Sequence, residues 1–179
     1  QSITNGTLAI NDGTGLASNY NLTTGTFDIT QRWVTLSGTR SYDGTSTAAS
    51  SDLTISNLVT GETLGLTGNG TVASKNVGSN KSITDVSLTL TDGSGLASNY
   101  TIGTKTLNIT QQAISIDGSK VYDGNTTVAA ANISTLNGLA LTETLTISGS
   151  GTVTAPQVGT NKTVTLGTIA LADGTNGGE

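Results

Sequence analysis

The chain has 179 residues, contains no histidine or cysteine, and carries a formal net charge of −5 from 7 basic and 12 acidic residues. The two missing residue types exclude most familiar nucleophile–base pairs and most zinc, haem and iron–sulfur ligation. The acidic balance opposes binding to nucleic acid, and no apolar run approaches the roughly 18–20 residues that span a bilayer, so we expect no nucleic-acid partner and no membrane insertion.

The first thirty residues repeat a piece of the chain that occurs again further along. "SITNGTLAINDG" (2–13) matches "SITDVSLTLTDG" (82–93), and "GLASNY" at 15–20 recurs at 95–100. We therefore assign residues 1–30 to the C-terminal part of a preceding repeat. No signal peptide opens the chain, so we expect it to be an internal piece of a longer protein.

The next segment, 31–110, forms one complete repeat, and 111–179 forms a second that is truncated before its last strands. The stretch from 12 to 44 aligns with the stretch from 92 to 124 without a gap, at an offset of 80 residues. A unit of this size buries a modest share of its surface, so we expect neighbouring repeats of the same chain to be its stabilising partners. The linker at "TQQ" is short, which favours a stiff junction and a rod of repeats.

The apolar positions of both copies alternate with Thr, Ser, Asn and Gln, as in the pairs Val34/Ile114 and Leu36/Ile116. This period of two is typical of half-buried strands, and no stretch has a sustained helical period. We predict an all-β fold of small sandwich-like or β-grasp-like repeats arranged end to end. A β-solenoid is the alternative, but the strand–turn pieces are unevenly spaced, whereas stacked rungs need a constant length.

The tripeptide Tyr-Asp-Gly occurs once in each copy, within "RSYDGTST" and "KVYDGNTT". Its glycine adopts positive φ easily, and its aspartate can accept backbone N–H bonds from residues two or three further on. Its tyrosine is expected to cover the core and to donate its hydroxyl to a backbone partner, as a corner tyrosine does in immunoglobulin-like sandwiches. These corner residues are Tyr42, Asp43, Gly44, Tyr122, Asp123 and Gly124.

Catalysis by the corner aspartates would need a second carboxylate within about 5–10 Å. Apart from the Asp-Gly turns, Glu62 in the first copy and Glu143 in the second form the only matched pair of acids, and nothing in the sequence indicates that this acid comes close to the corner. We therefore predict no catalytic residue, no cofactor-binding residue, no metal ligand and no enzyme activity.

The "GLASNY" motif is expected to be a loop that leads into a strand. Tyr20 and Tyr100 end the two copies, and the strand is predicted to begin at each tyrosine. No glycine-rich loop that opens a helix accompanies the motif, so a nucleotide site is not supported. Both tyrosines are assigned a structural role.

The order of these motifs along essentially the whole chain resembles the YDG domain. The matching features are Tyr-Asp-Gly after a Thr/Ile-rich strand, "VGxNK", "DGxGLASNY" and then "IT" before the next strand. The resemblance implies repeats of large, two-partner-secreted, filamentous-haemagglutinin-like bacterial adhesins, located outside the cell or on its surface. It implies a stalk that projects an adhesive region for cell–cell, biofilm or host attachment, and it implies no enzyme activity.

The sequence leaves three alternatives or additions to a stalk function. Binding of extracellular polysaccharide or host glycans is the main alternative, although Trp33, the only tryptophan, corresponds to Ala113. Calcium at the loops "DGTG", "DGSG" and "ADGTNGGE" is a minor alternative, because calcium takes six to eight oxygens and these loops supply one carboxylate each with no spaced Asp/Asn series. Lys–Asn isopeptide bonds at Lys81 and Lys162 are disfavoured, since both lysines lie in a polar turn and the chemistry needs a buried lysine.

Overall fold

The computed structural model describes residues 6–85 and 87–174, and it confirms the predicted all-β class of tandem repeats. Among the residues described, no helix has the length and hydropathy that a membrane crossing requires. The strands are β1 Arg32–Ser41, β2 Thr47–Ala49, β3 Leu53–Ser56, β4 Leu64–Thr67, β5 Asn69–Val72, β6 Gly78–Asp85, β7 Thr89–Asp92, β8 Tyr100–Thr110, β9 Ser115–Gly118, β10 Thr127–Ala129, β11 Ile133–Asn137, β12 Leu145–Ser148, β13 Ser150–Val153, β14 Val164–Thr165 and β15 Ala170–Asp173. Four 3₁₀ turns cover Ala17–Asn19, Ser50–Asp52, Ala97–Asn99 and Ala130–Asn132.

The first unit contains a six-stranded mixed sheet with the order β2-β5-β6-β8-β1-β3, together with the two-stranded sheet β4–β7. The first and last strands of the unit, β1 and β8, pair in parallel from Arg32 opposite Tyr100 to Ser41 opposite Thr110. A parallel pair in the middle of the sheet is unlike the antiparallel sheets of an immunoglobulin-type sandwich, so the unit is closer to the β-grasp-like arrangement. Pairing between strands so distant in sequence also differs from the evenly stacked coils of a solenoid.

The core of the first unit lies against β8. Leu107 and Ile109 of this strand are 0% and 1% exposed, and they belong to one apolar cluster with residues from β1, β2, β3, β5 and β6. Leu66 of β4 packs against the same cluster, so the small sheet β4–β7 contributes to covering the core. Alternating polar residues of β1 remain exposed, as the period of two predicts.

The second unit repeats the order of β1–β7 in β9–β15, but its strands form three separate small sheets. These are β9 with β11, β10 with β13 and β14, and β12 with β15. In the first unit β8 joins β1 to β6. In the second unit β9 and β14 belong to different sheets, and the counterparts of the first unit's core residues are only half-buried.

The segment before β1 differs from the sequence prediction. A strand was predicted to begin at both tyrosines of the repeated motif; one begins at Tyr100, but none begins at Tyr20. Both copies of the motif form the same 3₁₀ turn, at Ala17–Asn19 and Ala97–Asn99. The turn is local, whereas the strand after Tyr100 is held between β1 and β6.

Candidate functional site at the junction of the two units

The first Tyr-Asp-Gly corner follows β1 directly and closes the predicted Asx-type turn. Asp43 Oδ1 accepts hydrogen bonds from the backbone N–H and the Oγ1 hydroxyl of Thr45, both at 2.9 Å, and forms an ion pair with Arg40. Gly44 has a φ of 79°, a conformation that glycine adopts without steric strain. Burial raises the pKa of the Asp43 carboxyl, but the Thr45 hydrogen bonds and the Arg40 charge outweigh it, so the pKa lies below its ordinary value.

The second corner has the same geometry. The backbone N–H of Asn125 donates to Asp123 Oδ1 at 3.1 Å, and Gly124 also has a φ of 79°. Lys120 Nζ lies 2.8 Å from Asp123 Oδ1, and this hydrogen-bonded charge lowers the pKa of the aspartate. A basic residue three positions before the aspartate therefore holds the corner in both copies. This basic partner of the aspartate was not predicted, although Arg40 and Lys120 occupy matching positions in the two copies.

The hydroxyl of Tyr42 does not bind a backbone group, so that prediction was wrong. It donates to Glu143 Oε1 of the second unit, and Lys75 Nζ lies 3.0 Å from the same oxygen. Nothing in the sequence indicated that this acid comes close to the corner, but the contact joins residues 101 positions apart. The counterpart of Tyr42, Tyr122, is 62% exposed.

The three polar groups of this contact shift each other's ionisation. The hydrogen bond from Tyr42, together with the Lys75 charge, lowers the pKa of Glu143 against the opposing effect of its burial. Burial and the hydrogen bond to Glu143 raise the pKa of Tyr42, and the hydrogen bond to Glu143 raises that of Lys75. The ionised carboxylate, whose side chain is 8% exposed, is thus stabilised by two donors from the first unit.

Apolar packing surrounds the polar contact. A Cβ atom built on Gly44 would lie 2.9 Å from Leu141 Cδ1 and 3.3 Å from the Ala140 Cβ atom, so the loop at 140–143 sits directly on the first corner. The equivalent Cβ on Gly124 would meet no atom within 4 Å. The first corner is therefore an interface, whereas the second corner, with the same Tyr-Asp-Gly tripeptide, is open.

The matched acid Glu62 takes its tyrosine from within its own unit. Tyr100, which is buried, donates its hydroxyl to Glu62 Oε2, and this hydrogen bond raises the pKa of Tyr100. The same hydroxyl accepts the backbone N–H of Val59 at 3.2 Å. The tyrosines of the two repeated motifs therefore bind the same acid position of the repeat. Tyr100 binds Glu62 within one unit, and Tyr42 binds Glu143 across the junction.

Two of the three loops considered for calcium use their aspartates within the chain, and the third extends past residue 174, outside the described residues. Asp12 Oδ1 accepts the backbone N–H of Ala17 at 2.6 Å, and Asp92 Oδ1 accepts that of Ala97 at 2.7 Å. In both copies the carboxylate therefore braces the start of a 3₁₀ turn. Within residues 6–85 and 87–174, no group of three or more acidic side chains is arranged to hold a metal ion.

The lysines considered for isopeptide bonds hold turns together. Lys81 Nζ donates to the carbonyl oxygen of Ser74 at 3.1 Å, and Lys162 Nζ donates to that of Ala155 at 3.2 Å.

Trp33 is 66% exposed, and a Cβ atom on Gly103 would lie 2.9 Å from its ring. The tryptophan ring therefore covers a glycine of β8 and presents much of its surface to solvent.

Comparison with known proteins places these motifs in a family. The model of the YDG domain matches the chain twice, at residues 29–108 and at residues 104–179. Neither the curated proteins nor the solved structures gave a match.

Proposed function

The chain belongs to the YDG domain family, and from this premise we propose that its units are non-catalytic spacers in the stalk of a secreted bacterial surface adhesin. The stalk would project an adhesive region from the outer surface of the cell for cell–cell, biofilm or host attachment. The single observation that carries the proposal is the junction, where Tyr42 and Lys75 of one unit hold Glu143 of the next.

The junction supports a spacer role because Tyr42 and Glu143, which occupy positions repeated in both copies, join the two units. Tyr42 belongs to the most regular motif of the repeat, and its hydroxyl is used by the neighbouring unit rather than exposed in an open cleft. The linker between β8 and β9 spans only residues 111–114, so few bonds can rotate between the units. A short linker together with a specific side-chain contact favours a fixed angle between neighbours.

Small-angle X-ray scattering of the chain tests the spacer role. We expect one well-defined elongated particle, and we expect the variant Tyr42→Phe with Glu143→Gln to give a broader distribution of maximum dimensions. The variant Tyr122→Phe, which changes the open corner, is the matched control and should leave the scattering curve unchanged. A wild-type chain that scatters as freely jointed units would contradict the proposal.

Glycan binding is the second candidate, and the exposed ring of Trp33 is the observation that favours it. Aromatic rings offer an apolar face with a polar edge, and such a surface suits contact with sugars. A glycan array probed with the wild-type chain and with Trp33→Ala separates the two functions. Binding that the substitution abolishes would establish the second candidate, whereas equal and weak signals from both chains would remove it.

A further inference from the structure

The exposed ring of Trp33 is held in place on the outer face of the six-stranded sheet. Trp33 alternates along β1 with the buried Val34 and is itself 66% exposed. A Cβ atom on Gly103 of β8 would lie 2.9 Å from Trp33 Cε3 and 3.7 Å from Cζ3, so the ring rests on this glycine. The Asn57 side chain donates to the Trp33 carbonyl oxygen at 2.7 Å. The ring is therefore supported on one side and faces solvent on the other.

This exposure does not depend on what precedes β1. The counterpart of Trp33 is Ala113, which follows all the strands of the first unit, and Ala113 is exposed as well. The glycine beneath the ring corresponds to Thr23 at the offset of 80 residues. Trp33 and its supporting glycine thus occur together in the first unit, and neither residue occupies the matching position of the other copy.

Hydroxyl side chains continue this face of the sheet beyond the ring. Residues opposite each other in register lie on the same face, so the pairing of strands arranges their side chains in rows. One row crosses β6, β8, β1 and β3, and a second row, closer to Trp33, pairs β1 with β3. Together with Trp33 they form what we call the Trp33 face, whose hydroxyl residues are Ser82, Thr106, Ser37 and Thr54 of the first row and Thr35 and Ser56 of the second.

The Trp33 face has the size and the polar groups to contact several sugars. Each Ser or Thr hydroxyl has one donor and two acceptor lone pairs, so acceptors remain even at Thr35 and Ser56, whose hydroxyl oxygens lie 2.7 Å apart. Four residues along β1 at about 3.3 Å each, and three strand spacings of about 4.8 Å, give a face of roughly 13 by 14 Å. This area is larger than one sugar ring and suits a short stretch of a polysaccharide.

The charge of the Trp33 face favours a neutral ligand. All seven of its residues are uncharged, in a chain whose net charge is −5. Arg32, the neighbouring cation, uses its guanidinium on Asn57, because Nε donates to the Asn57 carbonyl oxygen at 2.6 Å and Nη2 donates to Oδ1 at 2.9 Å. A carboxylated or sulfated polysaccharide gains affinity from pairing with cations, and the negative charge of the chain repels it.

We propose that the Trp33 face binds an uncharged polysaccharide, with one sugar ring stacked on Trp33 and the neighbouring sugars hydrogen-bonded to the hydroxyl rows. The C–H groups of a sugar ring pack on an aromatic face, and polar groups around such a surface fix the orientation of the ligand. The inference rests on glycan binding, the second candidate function, and adds the class of glycan and the residues that contact it. The second unit has Ala113 and Asp117 in place of Trp33 and Ser37, so the site belongs to the first unit.

Tryptophan fluorescence tests the class of ligand, because Trp33 is the only tryptophan of the chain. The wild-type chain is titrated with the neutral probes cellohexaose, maltohexaose, mannohexaose and chitohexaose, and with the anionic hexasaccharides of alginate and hyaluronan. We expect a saturable change in emission with at least one neutral probe and none with the anionic probes. Anionic probes that bind as tightly as the neutral ones would overturn the inference but leave glycan binding in place, whereas a chain that binds no probe and no glycan on an array would lose both.

Isothermal titration calorimetry with the neutral probe that binds tests the contact residues. Trp33→Ala should weaken binding roughly 10-fold or more, because the apolar stacking surface is lost. Thr54→Val with Thr106→Val keeps side-chain size and strand preference but removes two hydroxyls, and it should weaken binding roughly 10-fold. The matched control Thr152→Val changes an exposed threonine of β13 in the second unit and should leave the affinity unchanged. Wild-type affinity in Trp33→Ala or in the double variant would overturn the Trp33 face as the site.

The support of the ring is tested by Gly103→Thr, which introduces beneath Trp33 the residue found at position 23. The added side chain should displace the ring, change the emission of the free chain and weaken binding of the same probe, while circular dichroism shows that the sheet is retained. Wild-type affinity combined with a changed emission would refute the stacked sugar.

Discussion

Removal of one hydroxyl at the junction should uncouple the two units. Tyr42→Phe deletes only the donor to Glu143 and keeps the ring that is partly buried against the core of the first unit. Glu143 would retain Lys75 as a partner at 3.0 Å, so the carboxylate would not be left without a counter-charge. The substitution therefore reports the loss of a single hydrogen bond to a charged group.

The size of this effect follows from the environment of the carboxylate. A hydrogen bond to a charged group contributes about 1.5–3 kcal/mol to stability. For a chain of this length such a loss corresponds to a decrease of about 3–12 °C in the thermal midpoint. The Glu143 side chain is only 8% exposed, so water can replace the lost donor only in part and we expect the upper half of the range.

The matched control is Tyr122→Phe, because Tyr122 occupies the same motif position but is exposed. It should change the free energy of unfolding by less than about 0.5 kcal/mol. Urea unfolding and hydrogen exchange at the Glu143 amide, which donates to the Ala140 carbonyl at 3.0 Å, measure the two effects. Equal stabilities for the two variants, or unchanged exchange at Glu143 in Tyr42→Phe, would refute the reasoning.

Three further predictions concern pH, packing at the junction and the core. The pKa of Glu143 in the folded chain is lowered from 4.5, so the contribution of its ionised carboxylate to stability is present above about pH 4.5 and is lost as the pH falls through the folded pKa. The difference in stability between wild type and Tyr42→Phe should therefore shrink at acid pH, which an acid titration followed by circular dichroism measures. Gly44→Ala and Gly124→Ala both add a methyl group at a φ of 79°, but only the methyl group at position 44 meets Leu141. In urea unfolding Gly44→Ala should therefore be more destabilising than Gly124→Ala by about 1–3 kcal/mol, and equal losses would contradict the packed junction. Leu107→Ala should lower the free energy of unfolding by about 2–5 kcal/mol, whereas Leu171→Ala, at a half-exposed position, should cost clearly less; comparable costs would place the core elsewhere.

The sequence predicted those features that depend on neighbouring residues. The Asx-type corners at Asp43 and Asp123 formed as expected because the acceptor and its N–H donors lie two residues apart. The loop predicted before Tyr100 is a local 3₁₀ turn, and the alternation of apolar residues predicted which side of β1 is buried. In each case the partners are fixed by short spans of the chain.

The partners of the tyrosine hydroxyls could not be predicted in the same way. Tyr42 and Tyr122 both precede Asp-Gly in the repeated motif, yet one binds an acid of the following unit and the other is exposed. The difference depends on whether a further loop, such as that at 140–143, is packed on the corner. A match between Glu62 and Glu143 in the two copies was the available signal, but nothing local connected it with a tyrosine.

The sequence by itself determined the repeat, the all-β class and the shape of each corner, because periodicity and turn chemistry act over a few residues. Only the tertiary structure decided that β1 and β8 pair in parallel and that Glu143 joins two units. These features depend on contacts between residues far apart in the chain. The segments 20–30 and 100–110 show the physical reason, since two related sequences form a buried strand only where neighbours on both sides satisfy the backbone and cover the apolar side chains.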